Sequence, residues 1–483
     1  ADASIKHNIA MDKEVTERNI ENNIGTKNLL GDARFNFIFL VCVVGVSLGI
    51  ALELINVQNR TTKDNNKNYW VYSVYNDVDN KNGLLKHVHL VLERLGYTKK
   101  SNNTPWTLLW SHDYPFRILN TVIQNLKPNQ KVNHFPGTGF ITNKVHLATS
   151  NSKYIPKAFE LPKSKEYFFK YAKENRNALF LEKHNQHRGV YLKNVTEIDL
   201  NSGESFVQEF VQKPFLVDGH KFDIGVYVAL TSVDPLRVYW YKSDVLFRYC
   251  PAKYYPFDPK NVDKYVIGDD YMPTWEVPSL AQPYTALGFS MKDAFDHYVR
   301  SKVDLCCILL KKYKSNDNFF EMMRFDLIVD ENLEVYLLEA NMSPNLSSAH
   351  FPPNQLLYEQ LLYNLFSLSG VTRYVDDYSI CLVKNMISAQ KNIAVYSEEC
   401  STICKENCEA TSVCALCKPC LTPTLKIALL KAHKENLHKG DFRRLYPPTM
   451  VNIETKLTHL NYRNRIQHLW YQGKCNMDVT WCV

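Results

Sequence analysis

The chain has 483 residues, 45% of them hydrophobic and 12% aromatic, and a formal charge of +7. Such a composition excludes an intrinsically disordered chain and leaves room for about two to four domains of ordinary size. The mild basic excess suits an acidic partner, and the lack of an arginine-rich tract or nucleic-acid motif sets nucleic acid aside.

Residues 1–34 read as a polar tail that begins at Ala1 rather than Met, so the true N-terminus is expected to lie upstream. Between Arg34 and Glu53 stand 18 uncharged residues, "FNFIFLVCVVGVSLGIAL", and Leu54, Ile55 and Val57 continue the apolar character. At about 1.5 Å per residue this run crosses most of a hydrocarbon core of about 30 Å. Residues 35–57 are therefore expected to form one membrane span, which makes the protein a single-pass membrane protein. A cleaved signal peptide fits less well, because 34 residues precede the run. Lys27 and Arg34 flank one side and Arg60, Lys63 and Lys67 the other, which leans toward a cytosolic C-terminal body. Sequons at Asn59, Asn102 and Asn194 are compatible with a lumenal one. The side is open.

Residues 58–68, "QNRTTKDNNKN", read as a linker, and a single α+β body is expected over 69–371. "HVHLVLERLGY" has a helical apolar face and stops at Gly96, a residue suited to a C-cap. "LLWSHDYPF" and "QKVNHFPGTGFITNKVHLATS" look more like loop than regular structure, and His134 and His146 have no third partner at metal spacing. "ALFLEKHNQHRGVYL" is two apolar runs around a polar loop, where Lys183 and Arg188 could meet phosphates and the Gly189 amide could approach them. No GxGxxG or Walker pattern is present, and an exposed hairpin explains the stretch as well. "FVQEFV" and "HKFDIGVYVAL" read as strands. Lys221 and Asp223 share one face of the second, either as phosphate and ribose contacts or as parts of a cross-strand salt bridge. "PLRVYWYKSDVLFRYC" supplies a further pair of strands ending near Arg248.

"RFDLIVDENLEVYLLEANMSPN" reads as a hairpin turning at Asn332-Leu333. An even-length loop there pairs residues whose numbers sum to 665, so Phe325, Leu327 and Val329 face Ala340, Leu338 and Tyr336 on the apolar side. The other side pairs Asp326 with Glu339, with Asn341 next along. Opposed carboxylates repel, and Mg²⁺ would relieve them. Incidental acids on a solvent-facing sheet edge are the plain alternative.

Residues 372–483 are Cys-rich. Cys400, Cys404, Cys408, Cys414, Cys417 and Cys420 crowd into 21 residues, with Cys475 and Cys482 further on. That density suggests disulfides in an oxidising compartment. A zinc module built on "CALCKPC" is the rival, although paired C-x₂-C knuckles at the usual spacing are absent.

Taken in order, the segments from roughly Trp70 to Val371 resemble the tubulin tyrosine ligase-like family, whose catalytic fold is an ATP-grasp. "LLWSHDYPF", "QKVNHFPG" and "NKVHLA" resemble its opening motifs, "LFLEKHNQHRGV" its lysine strand and Arg-Gly phosphate loop, "VQEFVQKPFLVDGHKFDIGVYV" and "PLRVYWY" its central signature, and "FDLIVDENLEVYLLEANMSPNL" its metal hairpin. The resemblance implies ATP and Mg²⁺ as cofactors. It makes Asp326, Glu339 and Asn341 the metal ligands, and gives Lys183, Arg188 and Gly189 the triphosphate. Gln208, Glu209, Phe210 and Val211 become the adenine hinge. Lys221 and Asp223 become phosphate and ribose contacts, with Lys221 also in the catalytic set, and Lys144 lies near the nucleotide. Arg248 corresponds to an arginine facing the amino-acid substrate or the γ-phosphate. The implied activity joins a free amino acid, glutamate among the candidates, to an acidic protein acceptor such as tubulin through an acyl phosphate.

Two departures stand out. The family signature usually reads KFD-[IL]-R, whereas this chain reads "KFDIG", with Gly225 in the arginine's place. The Asn-His-Leu-Thr-Asn segment of the family's glutamylases and glycylases is missing, the region reading "KNVDKYVIGDDYMPTW". These losses raise a second expectation beside the ligase: an impaired, ATP-binding pseudoenzyme serving as a membrane-tethered regulator or scaffold.

Overall fold

A computed structural model of the protein describes residues 67–75, 83–184, 190–201, 205–277, 317–372, 391–448 and 460–482, with single positions 47, 49 and 457 besides. The apolar run 35–57 lies outside these residues except for Ser47 and Gly49. Among the described residues, no helix is long and apolar enough to cross a membrane. The chain divides into two compact units, Ala1–Asn66 and Lys67–Val483. The elements below belong to the second.

This unit is a mixed α and β structure built on three sheets. The first is parallel throughout, in the order β2 (Thr98–Lys99), β1 (Asn68–Tyr72), β3 (Leu108–Ser111), β4 (Lys131–Val132). Strand β3 corrects the expectation of a loop at "LLWSHDYPF": all four of its residues are buried, because Leu108, Leu109 and Trp110 sit between the two largest core clusters. Helix α1 (Lys86–Arg94) buries His87, Val88, His89, Val91 and Leu92, caps at Leu95, and turns away through Gly96 at φ +81°.

A second sheet is antiparallel, in the order β5 (Ala158–Leu161), β8 (Ser205–Glu209), β6 (Phe180–His184), β7 (Tyr191–Lys193). Helix α2 (Lys144–Ala148) precedes it, in a stretch expected to be loop; the Asn143 side chain caps it by accepting from the His146 N–H.

The central sheet is organised by β10 (His220–Val233), 14 residues long, whose first two residues pair with the short β9 (Leu216–Val217). One edge pairs with β14 (Glu321–Val329), which pairs in turn with β15 (Val335–Asn341). Strands β11 (Leu236–Tyr241) and β12 (Leu246–Tyr249) were expected to pair with each other. Instead each pairs with β10, β12 along Phe222–Gly225 and β11 along Val228–Val233, since β10 is long enough to hold both end to end. Beyond β12 lies β13 (Met272–Pro273), and beyond β11 lies β16 (Phe442–Tyr446), contributed by the Cys-rich region.

Alternation along β10 divides the sheet. Phe222, Ile224, Val226 and Val228 join Phe325, Leu327 and Val329 in one apolar core. Lys221, Asp223, Gly225 and Tyr227 point to the other side, where Tyr227 and Ala229 pack with helix α3 (Asn354–Ser369) through Leu361 and Leu365. The end of that side nearest Lys221 is charged.

The hairpin register agrees with expectation where it matters and differs elsewhere. Phe325 pairs with Ala340 and Asp326 with Glu339, but Leu327 faces Leu337 and Val329 faces Val335. Asp330 and Glu334 close a turn in which Leu333 adopts φ +64°, so the loop is odd-numbered. A bulge at Leu338 then restores the register at the acids, putting Leu337 and Val335 in the core instead of Leu338 and Tyr336.

The cysteines pair as Cys400–Cys417, Cys404–Cys414, Cys408–Cys420 and Cys475–Cys482. They are disulfides, not a zinc site. Around Trp470 of helix α5 (Tyr462–Met477) this region has its own core, with Ile393, Leu425, Leu429 and Trp481. It is tied to the central sheet by β16 and by helix α4 (Pro423–Leu437), whose Glu435 binds Arg237 of β11.

Candidate active site

The charged half of the sheet face is assembled from four adjacent strands, β12, β10, β14 and β15. Arg248 and Asp223 are direct cross-strand partners, and two parallel bonds join them: Nε to Oδ1 at 2.9 Å and Nη2 to Oδ2 at 2.7 Å. The same Arg248 Nη2 lies 2.9 Å from Asp326 Oδ2. Arg324, two residues before Asp326 on the same face, donates to it from Nε at 2.6 Å and Nη2 at 2.8 Å. Asp326 is 1% exposed. Burial pushes the Asp223 carboxyl up, against the pull of Arg248.

Asn341 Nδ2 donates to Asp326 Oδ2 at 2.9 Å and to Glu339 Oε1 at 3.1 Å. A donor hydrogen thus stands between the two carboxylates where a shared cation would, and turning the amide presents its oxygen there. Two carboxylates and a carbonyl oxygen fit a hard cation such as Mg²⁺. Glu339 and Asn341 are freer to meet one than Asp326, both of whose oxygens also meet arginines.

Lysines surround Glu339. Lys144 Nζ is 3.4 Å from Glu339 Oε2. Burial opposes ionisation of Glu339, but Lys144, Asn341 and Lys183 outweigh it and hold the carboxyl down at about 2. Lys183 donates to Gln208 Oε1 at 2.7 Å; removal from water pulls its ammonium down to about 8, with Lys144 and Lys221 adding to the pull. Lys221 is buried and donates to the Tyr265 carbonyl at 2.6 Å, and burial lowers its pKa as well. Tyr265 lies within the segment that lacks the glutamylase motif.

A cleft of about 790 Å³ opens at the end of β8, lined by Glu209, Phe210, Val211, Ile155, Lys157 and Tyr336 among others and by none of the charged cluster. The Tyr171 hydroxyl fixes Glu209 at 2.7 Å. Gln208 points away from the cleft, its Nε2 donating to the Pro156 carbonyl at 3.3 Å.

The structure therefore brings together Lys144, Lys183, Lys221, Asp223, Arg248, Asp326, Glu339 and Asn341, and lines a separate cleft with Glu209, Phe210 and Val211. Asp223 forms a cross-strand ion pair with Arg248. Arg188 and Gly189 lie outside the described residues. Sequence reading missed Arg324, although period-2 spacing from Asp326 places it on the charged face, and it missed the carbonyls of Pro156 and Tyr265, which no side-chain pattern announces.

A mixed α/β fold thus sets a half-buried lysine cluster beside a carboxylate–asparagine group on one sheet face. The model of the tubulin-tyrosine ligase family matches residues 123–308 and 307–378. A probable tubulin polyglutamylase of Caenorhabditis elegans, ttll-15, is 39% identical over 438 residues, covering 83% of this chain and 84% of the relative. The tubulin polyglutamylase ttll6 of Danio rerio is 24% identical, covering 74% of this chain and 49% of its own length. The human tubulin monoglutamylase TTLL4 is 25% identical, covering 59% and 26%. The chain thus spans most of the nematode relative and half or less of the other two. It belongs to the tubulin-tyrosine ligase family.

Proposed function

We propose that the protein is an ATP- and Mg²⁺-dependent ligase of ATP-grasp type that joins glutamate to an acidic protein tail, tubulin being the acceptor named for its relatives. The observation that carries this reading is the convergence of Asp326, Glu339 and Asn341 with Lys144 and Lys183 on one face of the sheet.

The cleft would take the adenine against Glu209–Val211. The backbone of Val211 has no hydrogen-bond partner among the described residues, and its amide suits a base edge. Lys144, Lys183 and Lys221 would face the phosphates. Asp326, Glu339 and Asn341 would hold Mg²⁺, which supplies charge neutralisation at the transferring phosphoryl group. In the reaction proposed, an acceptor carboxylate oxygen attacks the γ-phosphorus and ADP leaves, giving an acyl phosphate. The glutamate amine then adds to the acyl carbon, phosphate leaves, and the amine loses a proton. Arg248, oriented by Asp223, would stabilise charge on the acceptor side as it develops. No side-chain nucleophile is needed.

A single membrane span at 35–57 belongs to the same proposal. The four disulfides favour a second reading of the acceptor, as an acidic protein of an oxidising compartment, in place of tubulin. Asn102 and Asn194 are both exposed and available to report the side.

The test is incorporation of labelled glutamate into tubulin by the full chain, with Glu339→Ala as control. Incorporation that vanishes in the variant supports the ligase. No incorporation of any amino acid by a chain that binds ATP sinks it. A glycosidase-sensitive mobility shift that depends on the sequons would move the acceptor out of the cytosol.

A further inference from the structure

Gly225 removes an arginine from the family signature, yet the space it vacates is filled. A Cβ built on Gly225 would lie 2.9 Å from Cδ and 3.3 Å from Nε of Arg324, and 3.3 Å from the Leu246 Cβ. Real Cβ atoms do not approach at 2.9 Å, so any side chain at 225 must displace the arginine stem. That stem is anchored, because both Nε and Nη2 are bonded to Asp326, the residue directly across from Gly225.

We infer that Arg324 is the signature arginine in a transposed position: carried on β14 instead of β10, it delivers its guanidinium to the same place on the sheet face. Gly225 is then the accommodation that lets it lie there and not the mark of a dead site. Three observations converge on this. Arg324 lies over Gly225. It shares Asp326 with Arg248, so the face keeps two guanidiniums side by side. Its bonds to Asp326 use Nε and Nη2, leaving Nη1 without a partner among the described residues, and 9% of the side chain remains exposed. Arg248 makes its two parallel bonds to Asp223 and Arg324 makes its two to Asp326, so two acids hold two guanidiniums in place. The two-pronged grip on Arg324 leaves its third nitrogen accessible and presents donors in fixed geometry to a developing negative charge.

The inference also explains why restoring arginine at 225 alone is the wrong repair. Two guanidinium stems would compete for one volume beside Leu246, and like charges would meet with only Asp326 and Asp223 to share. Arginine at 225 becomes tolerable when residue 324 is small.

The inference rests on the ligase reading for its catalytic part, and a four-variant cycle separates the two. Arg324→Gly, Arg324→Lys, Gly225→Arg and Gly225→Arg/Arg324→Gly are made in the full chain. Each is measured for ATP affinity with a fluorescent analogue, for melting temperature, and for kcat and KM in labelled-glutamate transfer to tubulin. Arg324→Gly is expected to lower kcat about 10²–10³-fold, the usual loss for one oxyanion donor, a larger change than any in ATP affinity. Arg324→Lys recovers part of the loss. Gly225→Arg alone is inactive and melts lower than the unaltered protein. The double variant exceeds each single variant by about tenfold or more in kcat and melts higher than Gly225→Arg, because the residues are coupled. Unaltered turnover in Arg324→Gly, or a double variant no better than Gly225→Arg in both turnover and melting, overturns the inference. If the unaltered protein transfers no amino acid, the ligase reading fails by itself. The melting temperatures then still decide the transposition, since a double variant whose loss merely sums the single losses excludes shared occupancy.

Discussion

Lys183 Nζ donates to Gln208 Oε1 at 2.7 Å, joining adjacent strands β6 and β8 and holding an ammonium whose pKa is drawn down to about 8. The bond orients the lysine but, coming from a neutral amide, does not restore its affinity for a proton. ATP affinity should therefore be flat below pH 8 and fall above it, by up to about tenfold per pH unit, as the ammonium is lost. Stability of the nucleotide-free protein should move the other way. The folded state holds fewer protons than the unfolded one between pH 8 and the ordinary lysine range near 10.5, so Lys183 makes stability rise with pH across that window. Fluorescent-nucleotide titrations from pH 7 to pH 9.5, with Lys183→Met as reference, check the binding limb. An affinity independent of pH in the unaltered protein would show that Lys183 does not meet phosphate.

Glu339 makes stability rise with pH as well, but in the acid window and because its charged form is favoured. Its carboxyl is held near 2 despite burial, mainly by Lys144. The stability this contributes is present above the ordinary glutamate range near 4.5 and is lost as pH falls toward 2. Lys144→Met removes the principal counter-charge. The variant should melt below the unaltered protein at pH 7, and the gap should narrow at pH 3, where the unaltered protein has begun to lose the same term. A gap that stays constant with pH would mean that Lys144 acts by packing alone.

The extent to which this site was legible in the sequence follows from where its parts lie. Asp326, Glu339 and Asn341 could be placed on one face because strand alternation is strict, and the pairing of the two acids held. The assumed even loop was wrong, and it cancelled against the bulge at Leu338. Neither device leaves a composition signal: Leu333 is an apolar residue at positive φ, and Leu338 is one more leucine in an apolar run. Arg324 was hidden for a different reason. A motif comparison asks what stands at position 225, and only the cross-strand register reveals that the neighbouring strand supplies the missing group. Strand β16 was obscured because Phe442–Tyr446 is short and carries two arginines, which read as surface until Arg444 is seen buried over the Tyr471 ring.

The cysteine cluster yields a direct chemical expectation. Peptide mapping without reduction should recover Cys400–Cys417, Cys404–Cys414, Cys408–Cys420 and Cys475–Cys482. Cys250 should resist alkylation in the folded protein, being buried with its thiol pushed up to about 11 by that burial. Reduction should destabilise the C-terminal region by about 2–4 kcal/mol for each disulfide opened. Recovery of zinc in place of these linkages, with the thiols free, would contradict the structure.

Glu435 of α4 is buried against Arg237 of β11, with Nε to Oε2 at 2.7 Å and Nη2 to Oε1 at 2.9 Å. Tyr239 and Thr231 also donate to Oε2, and Arg237 Nη1 donates to Gln467 of α5 at 3.1 Å. This network, together with β16, fastens the Cys-rich region to the sheet that carries the site. Burial raises the Glu435 carboxyl, Arg237 outweighs it, and the net shift is downward, so the tie holds above the ordinary glutamate range and fails in acid. Glu435→Ala leaves a guanidinium buried without its counter-charge and should cost about 3–5 kcal/mol in urea unfolding. Replacing both residues by methionine should cost less than that, because the penalty comes from an unpaired charge and not from the loss of an attraction. If the double replacement costs as much as the sum of the two single ones, the pair is not coupled and the Cys-rich region is held by its strand and its packing instead.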